Sequence, residues 1–229
     1  CKPVFDGSGS DTMPLDFSQL NTLCELHNES GSALFAACTA ELFPCDVLAF
    51  SVLERSLNLI KGFRLIVSSG GYSSGVGLLR MQLDNLLRFN GVVLTRDPHE
   101  VAYKVITGIR LSRLKDKSGA AMNDKRLVEL LAKKNPWVEQ VYDLASGYIH
   151  LSREHVLQFL SRSPTDTDGT RQFNIGDEED HIPTGHKIAL VESFAIVSRG
   201  VPRIIEEWQQ VRHLHGTNEE LKRRFNQAI

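Results

Sequence analysis

The chain has 229 residues, of which 41% are hydrophobic and 24% charged, so it is too apolar for a disordered protein and long enough to bury a sizeable core. Its net charge of −2 excludes an overall basic field that would attract nucleic acid or an anionic membrane, although a local basic patch is compatible with it.

The cysteines are Cys1, Cys24, Cys38 and Cys45. They form no CxxC pair and have no histidine cluster beside them at the spacing of a zinc site, so we expect no metal and no cofactor. Few cysteines in a chain of this length indicate a reducing compartment, which predicts a cytoplasmic protein. Cys1 indicates a processed or trimmed chain, and a lipoprotein tethered through residues 2–10 is the alternative.

The N-terminal part is predicted to be a tail followed by one helical domain. Residues 1–15 are rich in Gly, Ser and Asp and are assigned to a flexible tail. Residues 16–229 form the predicted domain, with its core at about 45–215. A short amphipathic helix is predicted at 16–27, and the polar stretch 28–31 is predicted to break it.

Two long apolar helices are expected to lie at the centre. Residues 47–67 are apolar nearly all round, and Pro44 and Asp46 provide a start signal before them. A second central helix is predicted at about 73–94. Four charged residues interrupt the apolar run 47–67, which argues against a membrane span.

Three capping sequences predict further helices, at Asp97-Pro98, Asn123 and Asn135-Pro136. The last of these opens a third central helix, at 136–158.

The C-terminal third begins with a different pattern. A small β-hairpin is predicted near 171–183, where polar and apolar residues alternate before an acidic turn. Thr184 then caps a helix, which Gly200 and Pro202 are predicted to kink or end. The fold class predicted from these elements is all-α, a multi-helix bundle with the hairpin as an excursion.

One candidate site is a polar stripe on the helix that follows Pro136. Asp143, Ser146 and His150 are spaced by three and four residues and lie opposite the apolar face that contains Val138 and Ala145. A histidine beside Ser and Asp neighbours could have a tuned protonation state. The alternative is an ordinary solvated helix face.

The second candidate is a charge ladder on the helix at 73–94. Arg80, Asp84 and Arg88 are each four residues apart. They form either a structural network, among themselves and with Glu54 or Arg55, or an anion clamp built from the two arginines.

The stretches 51–63, 78–89 (LLRMQLDNLLRF) and 108–155, the last of which includes NPWVEQVYDLASGYIHLSREH, resemble a family of uncharacterised bacterial all-helical proteins. That resemblance covers residues 45–200 and implies a helical fold, but no activity.

The run of Tyr142, Ser146 and His150 is also distantly similar to the end of a HEPN domain (higher eukaryotes and prokaryotes nucleotide-binding). Such domains are helical bundles found in ribonuclease toxins, antiphage systems and non-catalytic adaptors. The resemblance implies a homodimer and metal-independent RNA cleavage by an Arg and a His of one helix. The positions where this pattern places the Arg, 143–145, contain none.

Two functions follow from the resemblance. The first is a non-catalytic HEPN-like binding or assembly module of a bacterial defence or toxin-type system, which recognises a protein or RNA. The alternative is a ribonuclease toxin in which His150 is the general acid/base and Arg80 stabilises a phosphate. Asp84, Arg88, Asp143 and Ser146 are the predicted binding residues.

Overall fold

The computed structural model describes residues 15–38, 41–149, 153–161, 163, 165–171, 173, 182–216 and 219–228. The helices are α1 (Ser18–Ala37), α2 (Pro44–Ser68), α3 (Tyr72–Val93), α4 (Pro98–Ile106), α5 (Asp124–Ala132), α6 (Trp137–Ile149), α7 (Arg153–Ser161), α8 (Thr184–Val211) and α9 (Glu219–Ala228), with short 3₁₀ turns at Leu111–Arg113 and Arg212–Leu214. Over the described ranges the only strand-like pairings are two isolated bridges, so the predicted all-α bundle is confirmed.

The core lies between α2, α3 and α8, because each of these helices carries apolar residues around much of its circumference. Phe63 of α2 stacks on Phe194 of α8, with ring centroids 3.8 Å apart and planes 12° apart. Leu79 and Leu83 of α3 are fully buried in the same cluster. The two central helices predicted from apolar runs are therefore confirmed, and α8 is the third.

The caps predicted at Asp97 and Asn123 are confirmed, whereas Thr184 is the first residue of α8 and Pro183 takes the cap position without a side-chain hydrogen bond. The Asp97 carboxylate accepts the Glu100 backbone N–H at 2.9 Å at the start of α4, and the Asn123 side chain accepts the Arg126 N–H at 2.9 Å at the start of α5. Gly108 ends the α4 segment with a φ of 93°, which a residue with a side chain rarely adopts.

The break predicted at 28–31 is wrong, because α1 continues through it to Ala37. Ser30 and Leu34 are buried beyond the start of the predicted break, and His27 is anchored to Ser56 of α2. Burial of the second half of the helix outweighs the local preference of its Asn and Gly for a turn.

Of the kink or end predicted at Gly200 and Pro202, the end is wrong, because α8 runs through both residues. A Cβ on Gly200 would lie only 2.7 Å from Leu86 Cδ2, so the glycine lets α8 approach α3 closely. Ile205 and Trp208, beyond the proline, are fully buried, and this packing offsets the backbone hydrogen bond that proline cannot make.

The third central helix was predicted at 136–158. The structure has α6 and α7 on either side of 150–152, which lie outside the described residues. None of the described side chains of α7 is buried, so its place at the centre is taken by α8.

Of the hairpin predicted near 171–183, residues 172 and 174–181 lie outside the described part of the chain. Arg171 forms an antiparallel bridge with Thr165, which precedes it. The loop between them repeats the loop between Lys115 and Ala121: each has an aspartate at its second position and a glycine with φ near 90° at its fifth. The repeat is short and follows no helical or strand period, so hydrophobic patterning did not reveal it.

Candidate functional site: an arginine–aspartate network beside a groove

The predicted charge ladder is a connected network centred on Asp84. Arg88 Nε donates to both carboxylate oxygens of Asp84, at 2.9 and 2.8 Å. Arg80 Nη1 lies 3.7 Å from the same carboxylate on its other side. Arg55 of α2 reaches it more loosely, at 3.9 Å. The spacing of four residues places all three α3 side chains on one face of the helix, so the sequence was sufficient to bring them together.

Two residues that the ladder alone does not reveal complete this network. Asp124, the first residue of α5, lies 3.5 Å from Arg80 Nη2 and 3.3 Å from Arg88 Nη2. The guanidinium of Arg80 also lies over the ring of Tyr142 on α6. The network therefore joins α2, α3, α5 and α6. An aspartate in the first turn of a helix is usually explained by the helix dipole, so its sequence context did not identify Asp124 as a partner.

Arg80 and Arg88 differ in their exposure to solvent. The Arg80 side chain is 9% exposed, and its Nε is buried with no hydrogen-bond partner among the described residues. The Arg88 side chain is 41% exposed. Burial alone would lower the pKa of Arg88, but the hydrogen bonds and charge of Asp84 and the charge of Asp124 raise it above its ordinary value. Arg88 is thus a permanent cation that solvent can reach.

The predicted polar stripe on α6 is only partly described, since His150 lies outside the described residues. Val138 and Ala145 are fully buried, which confirms the apolar face. Asp143 is exposed, whereas the Ser146 hydroxyl is buried and has no partner in the described ranges. Both residues lie on α6 as predicted, but the Ser146 hydroxyl makes no hydrogen bond to Asp143.

A groove of about 690 Å³ opens beside the network, between α2, α3 and the loop that follows α4. Arg55, Arg88 and Asp124 line it, and Arg110 lines it from the loop. Arg80, which the sequence favoured as a catalytic residue, is not a lining residue of the groove. Arg110 is one, although no sequence pattern singled it out.

A buried ion pair anchors the start of α2 to the end of α8. Asp46 accepts from Arg212 Nη2 at 2.8 Å, from Arg212 Nε at 2.9 Å and from Trp208 Nε1 at 3.0 Å. It also caps α2 by accepting the Phe43 N–H at 3.0 Å. Both oxygens of this carboxylate are engaged inside the protein, so its role is structural.

A second buried polar chain crosses the core. His27 Nδ1 lies 2.6 Å from the Leu23 carbonyl oxygen, which can only accept, so Nδ1 carries the proton. Nε2 then accepts from the Ser56 hydroxyl at 2.7 Å, and Gln82 Nε2 donates to Ser56 at 2.6 Å and to Ser198 at 2.9 Å. Burial lowers the pKa of His27, while its hydrogen bond to Leu23 opposes that change. The ring is held neutral, which suits a structural role.

In the described part of the chain, no three His, Cys, Asp or Glu side chains converge on a position where a metal ion could be held. Nor does any described helix have both the length and the apolarity that a membrane crossing requires. The chain matches no protein-family model, and neither a curated protein nor a solved structure is similar to it.

Proposed function

We propose that the protein is a non-catalytic HEPN-like module that acts by binding and assembly in a bacterial defence or toxin-type system. The observation that carries this proposal is that Arg80 is buried and lies between two carboxylates. A residue that stabilises a phosphate during RNA cleavage must present unpaired N–H donors to the reacting group. The Nη1 and Nη2 donors of Arg80 instead lie 3.7 Å from Asp84 and 3.5 Å from Asp124, its Nε is buried, and Tyr142 covers the guanidinium.

Engaging a phosphate would require Arg80 to leave both carboxylates. The Arg80 side chain is only 9% exposed, so it would also have to leave its position under the Tyr142 ring to reach a phosphate in solvent. The pairing therefore favours a binding or assembly function over the alternative of a ribonuclease that combines Arg80 with His150. It supports that choice independently of where the His150 side chain lies.

A surface suited to assembly is present on α6 and α7. Leu144 and Ile149 of α6 and Val156 and Leu157 of α7 are large apolar side chains that are 47–50% exposed. Exposed apolar side chains concentrated in one segment are typical of protein interaction sites. We assign this α6–α7 surface to contact with a second copy of the chain, as the HEPN resemblance implies a homodimer.

The proposal is tested with two measurements on the same preparations. The first is an assay of RNA cleavage and growth arrest for the wild type and for His150→Ala. We expect both proteins to be inert and equally folded. RNA cleavage by the wild type that His150→Ala abolishes would establish the ribonuclease alternative and overturn the proposal.

The second measurement is sedimentation analysis of the oligomeric state. We expect a dimer for the wild type and a monomer for Leu157→Glu. The matched control is Leu65→Glu, because Leu65 is also exposed, at 60%, but belongs to α2. A monomeric wild type, or equal behaviour of the two variants, would contradict assembly through this surface.

A further inference from the structure

We propose that the groove between α2, α3 and the loop after α4 is a binding site for a small organic anion with an apolar body. This goes beyond the proposed function, since none of the residues that line the groove belongs to the α6–α7 surface. The inference rests on the shape of the groove, on the apolar character of its walls and on the balance of charges around it.

The shape and the walls are those of a small-molecule site. A volume of about 690 Å³ falls within the range of roughly 300–1,000 Å³ that is typical of ligand pockets. Apolar side chains of α2, α3, α4 and the segment that follows it line the groove: Leu48, Val105 and Ile109 are accessible to solvent, and the core residues Val52, Phe89, Val92 and Leu111 lie behind them. Such walls favour the hydrocarbon or aromatic part of a ligand over a fully hydrated ion.

The charges on the wall leave cations in excess. Arg55, Arg88 and Arg110 line the groove, against the single carboxylate of Asp124. Arg88 pairs with Asp124, so that acid is already neutralised within the protein. Arg55 has only a long contact, 3.9 Å, with Asp84, which Arg88 binds more closely.

Arg110 is the decisive residue. Its exposed side chain makes no hydrogen bond or ion pair with any residue that the structure describes, yet it lines a concave apolar pocket. A guanidinium has five N–H donors in a planar fork that fits the two oxygens of a carboxylate, sulfonate or phosphate. Arg110 together with Arg55 and the exposed side of Arg88 therefore selects an anionic head group, while the apolar walls accept the rest of the molecule.

The arrangement suits a small molecule better than a nucleic acid. A single strand of RNA is bound along a groove in which cations follow the backbone and aromatic side chains stack on successive bases. Here the three arginines converge on one pocket, and Phe89, the aromatic residue on its wall, is fully buried. RNA is accordingly an outcome of the test and not part of the proposal.

The probe for the test is 1-anilinonaphthalene-8-sulfonate, whose fluorescence rises when its aromatic body leaves water. Its matched partner is N-phenyl-1-naphthylamine, which has the same aromatic body without the sulfonate. We expect the sulfonate to bind the full chain at one site, at least about tenfold more tightly than the neutral amine. Equal binding of the two probes, or no saturable binding of the sulfonate, would overturn the proposal.

The site is assigned by Arg110→Gln beside its matched control, Arg113→Gln. Arg110 precedes the short 3₁₀ turn that Arg113 ends, so the two arginines are close in the sequence. Arg113 is also exposed and makes no ion pair within the described ranges, but it does not line the groove. Loss of one charge-assisted contact predicts about tenfold weaker sulfonate binding for Arg110→Gln and no change for Arg113→Gln. Binding of the neutral amine should be the same in all three proteins. Equal loss in both variants would assign the effect to general surface charge and refute the site.

Two controls separate binding in the groove from misfolding and from binding elsewhere on the protein. Circular dichroism and the unfolding midpoint should be unchanged in Arg110→Gln, since Arg110 is exposed and pairs with none of the described residues, so weaker binding cannot be attributed to misfolding. Displacement of the sulfonate by phenyl phosphate or benzoate supports the proposal. Displacement by an oligoribonucleotide but by neither small anion, or loss of the probe signal as the protein self-associates, would contradict it.

Discussion

The guanidinium carbon of Arg80 lies 4.3 Å from the centroid of the Tyr142 ring. This contact joins α3 to α6 at the point where Asp84 and Asp124 approach the same guanidinium from two other directions. A buried guanidinium is tolerated where paired charges offset its desolvation, and an aromatic face over it adds about 0.5 to 2 kcal/mol of attraction. Arg80 therefore belongs to the framework that positions α5 and α6 against the central helices.

Replacing Arg80 should destabilise the protein more than replacing Arg88. Arg80→Gln removes a buried guanidinium that packs on Tyr142 and contacts Asp84 and Asp124, while Arg88 still pairs with both carboxylates, so we expect a loss of about 2 kcal/mol in the free energy of unfolding. Arg88→Gln should cost at most about 1 kcal/mol, because the Arg88 side chain is 41% exposed and its ion pairs are screened by solvent. Urea denaturation of both variants measures the difference.

The contribution of the ring is separable by a double-mutant cycle. Tyr142→Leu keeps an apolar side chain at this position but removes the aromatic face. We expect a coupling energy of about 1 kcal/mol between Arg80 and Tyr142 in the free energy of unfolding. A coupling indistinguishable from zero would show that the ring covers the guanidinium without stabilising it.

Asp46→Asn should be among the most destabilising single changes in the chain. It leaves Arg212 without the charge that neutralises it, at a place where the carboxylate is fully buried. We expect the free energy of unfolding to fall by about 3 kcal/mol or more. Asp143→Asn is the control, since Asp143 is exposed and should change stability by no more than about 0.5 kcal/mol. Similar losses for the two variants would rule out the anchoring role of Asp46.

These residues also indicate how far the sequence could predict the structure. Asp97 and Asn123 cap helices by contacts within their own turn, so local sequence was sufficient to predict them. Arg80, Asp84 and Arg88 share one helical face, so spacing alone brought them together. The continuation of α8 through Gly200 depends on Leu86 of another helix, and no local pattern contains that information.

The candidate site shows the same division. The sequence placed the ladder on one helix but did not identify Asp124 and Tyr142 as partners, because they belong to helices whose packing is set by tertiary contacts. Nor did the sequence distinguish Arg80, which is buried, from Arg88, which lines the groove. Arg80 and Arg88 occupy equivalent sequence positions, yet only Arg88 lines the groove, and Arg110 joins it from a loop after α4.

The buried His27 predicts a pH dependence of stability. Its pKa in the folded protein lies below the ordinary value of 6.5 that applies when the chain is unfolded. At pH values below about 6.5 the unfolded chain therefore binds more protons than the folded one, and the free energy of unfolding falls as the pH is lowered. Above that value both states are neutral, and His27 adds no pH dependence.

His27→Gln should reduce this pH dependence as well as lower stability at pH 7, where its hydrogen bonds are lost. We expect denaturation curves between pH 7 and pH 5 to show a smaller decrease for the variant than for the wild type. A residual decrease will remain, since burial also lowers the pKa of His99. His213→Gln is the control, because His213 is exposed and should leave the wild-type profile unchanged. An unaltered slope in His27→Gln would contradict the assignment.

Gly75 and Gly77 of α3 should respond oppositely to replacement by alanine. Alanine is favoured over glycine inside a helix by about 1 kcal/mol, so Gly77→Ala, whose Cβ would have no neighbour within 4 Å, should stabilise the protein. A Cβ on Gly75 would lie 2.6 Å from Val67 Cγ2 and 3.2 Å from Leu190 Cδ2. These side chains belong to the packed core between α2 and α8, so the overpacking cost of about 1 to 3 kcal/mol should exceed the gain in helix propensity. Thermal unfolding of the two variants measures the difference in stability. An equal rise in Tm for both would mean that the helices can move apart, and that Gly75 is not needed for their close approach.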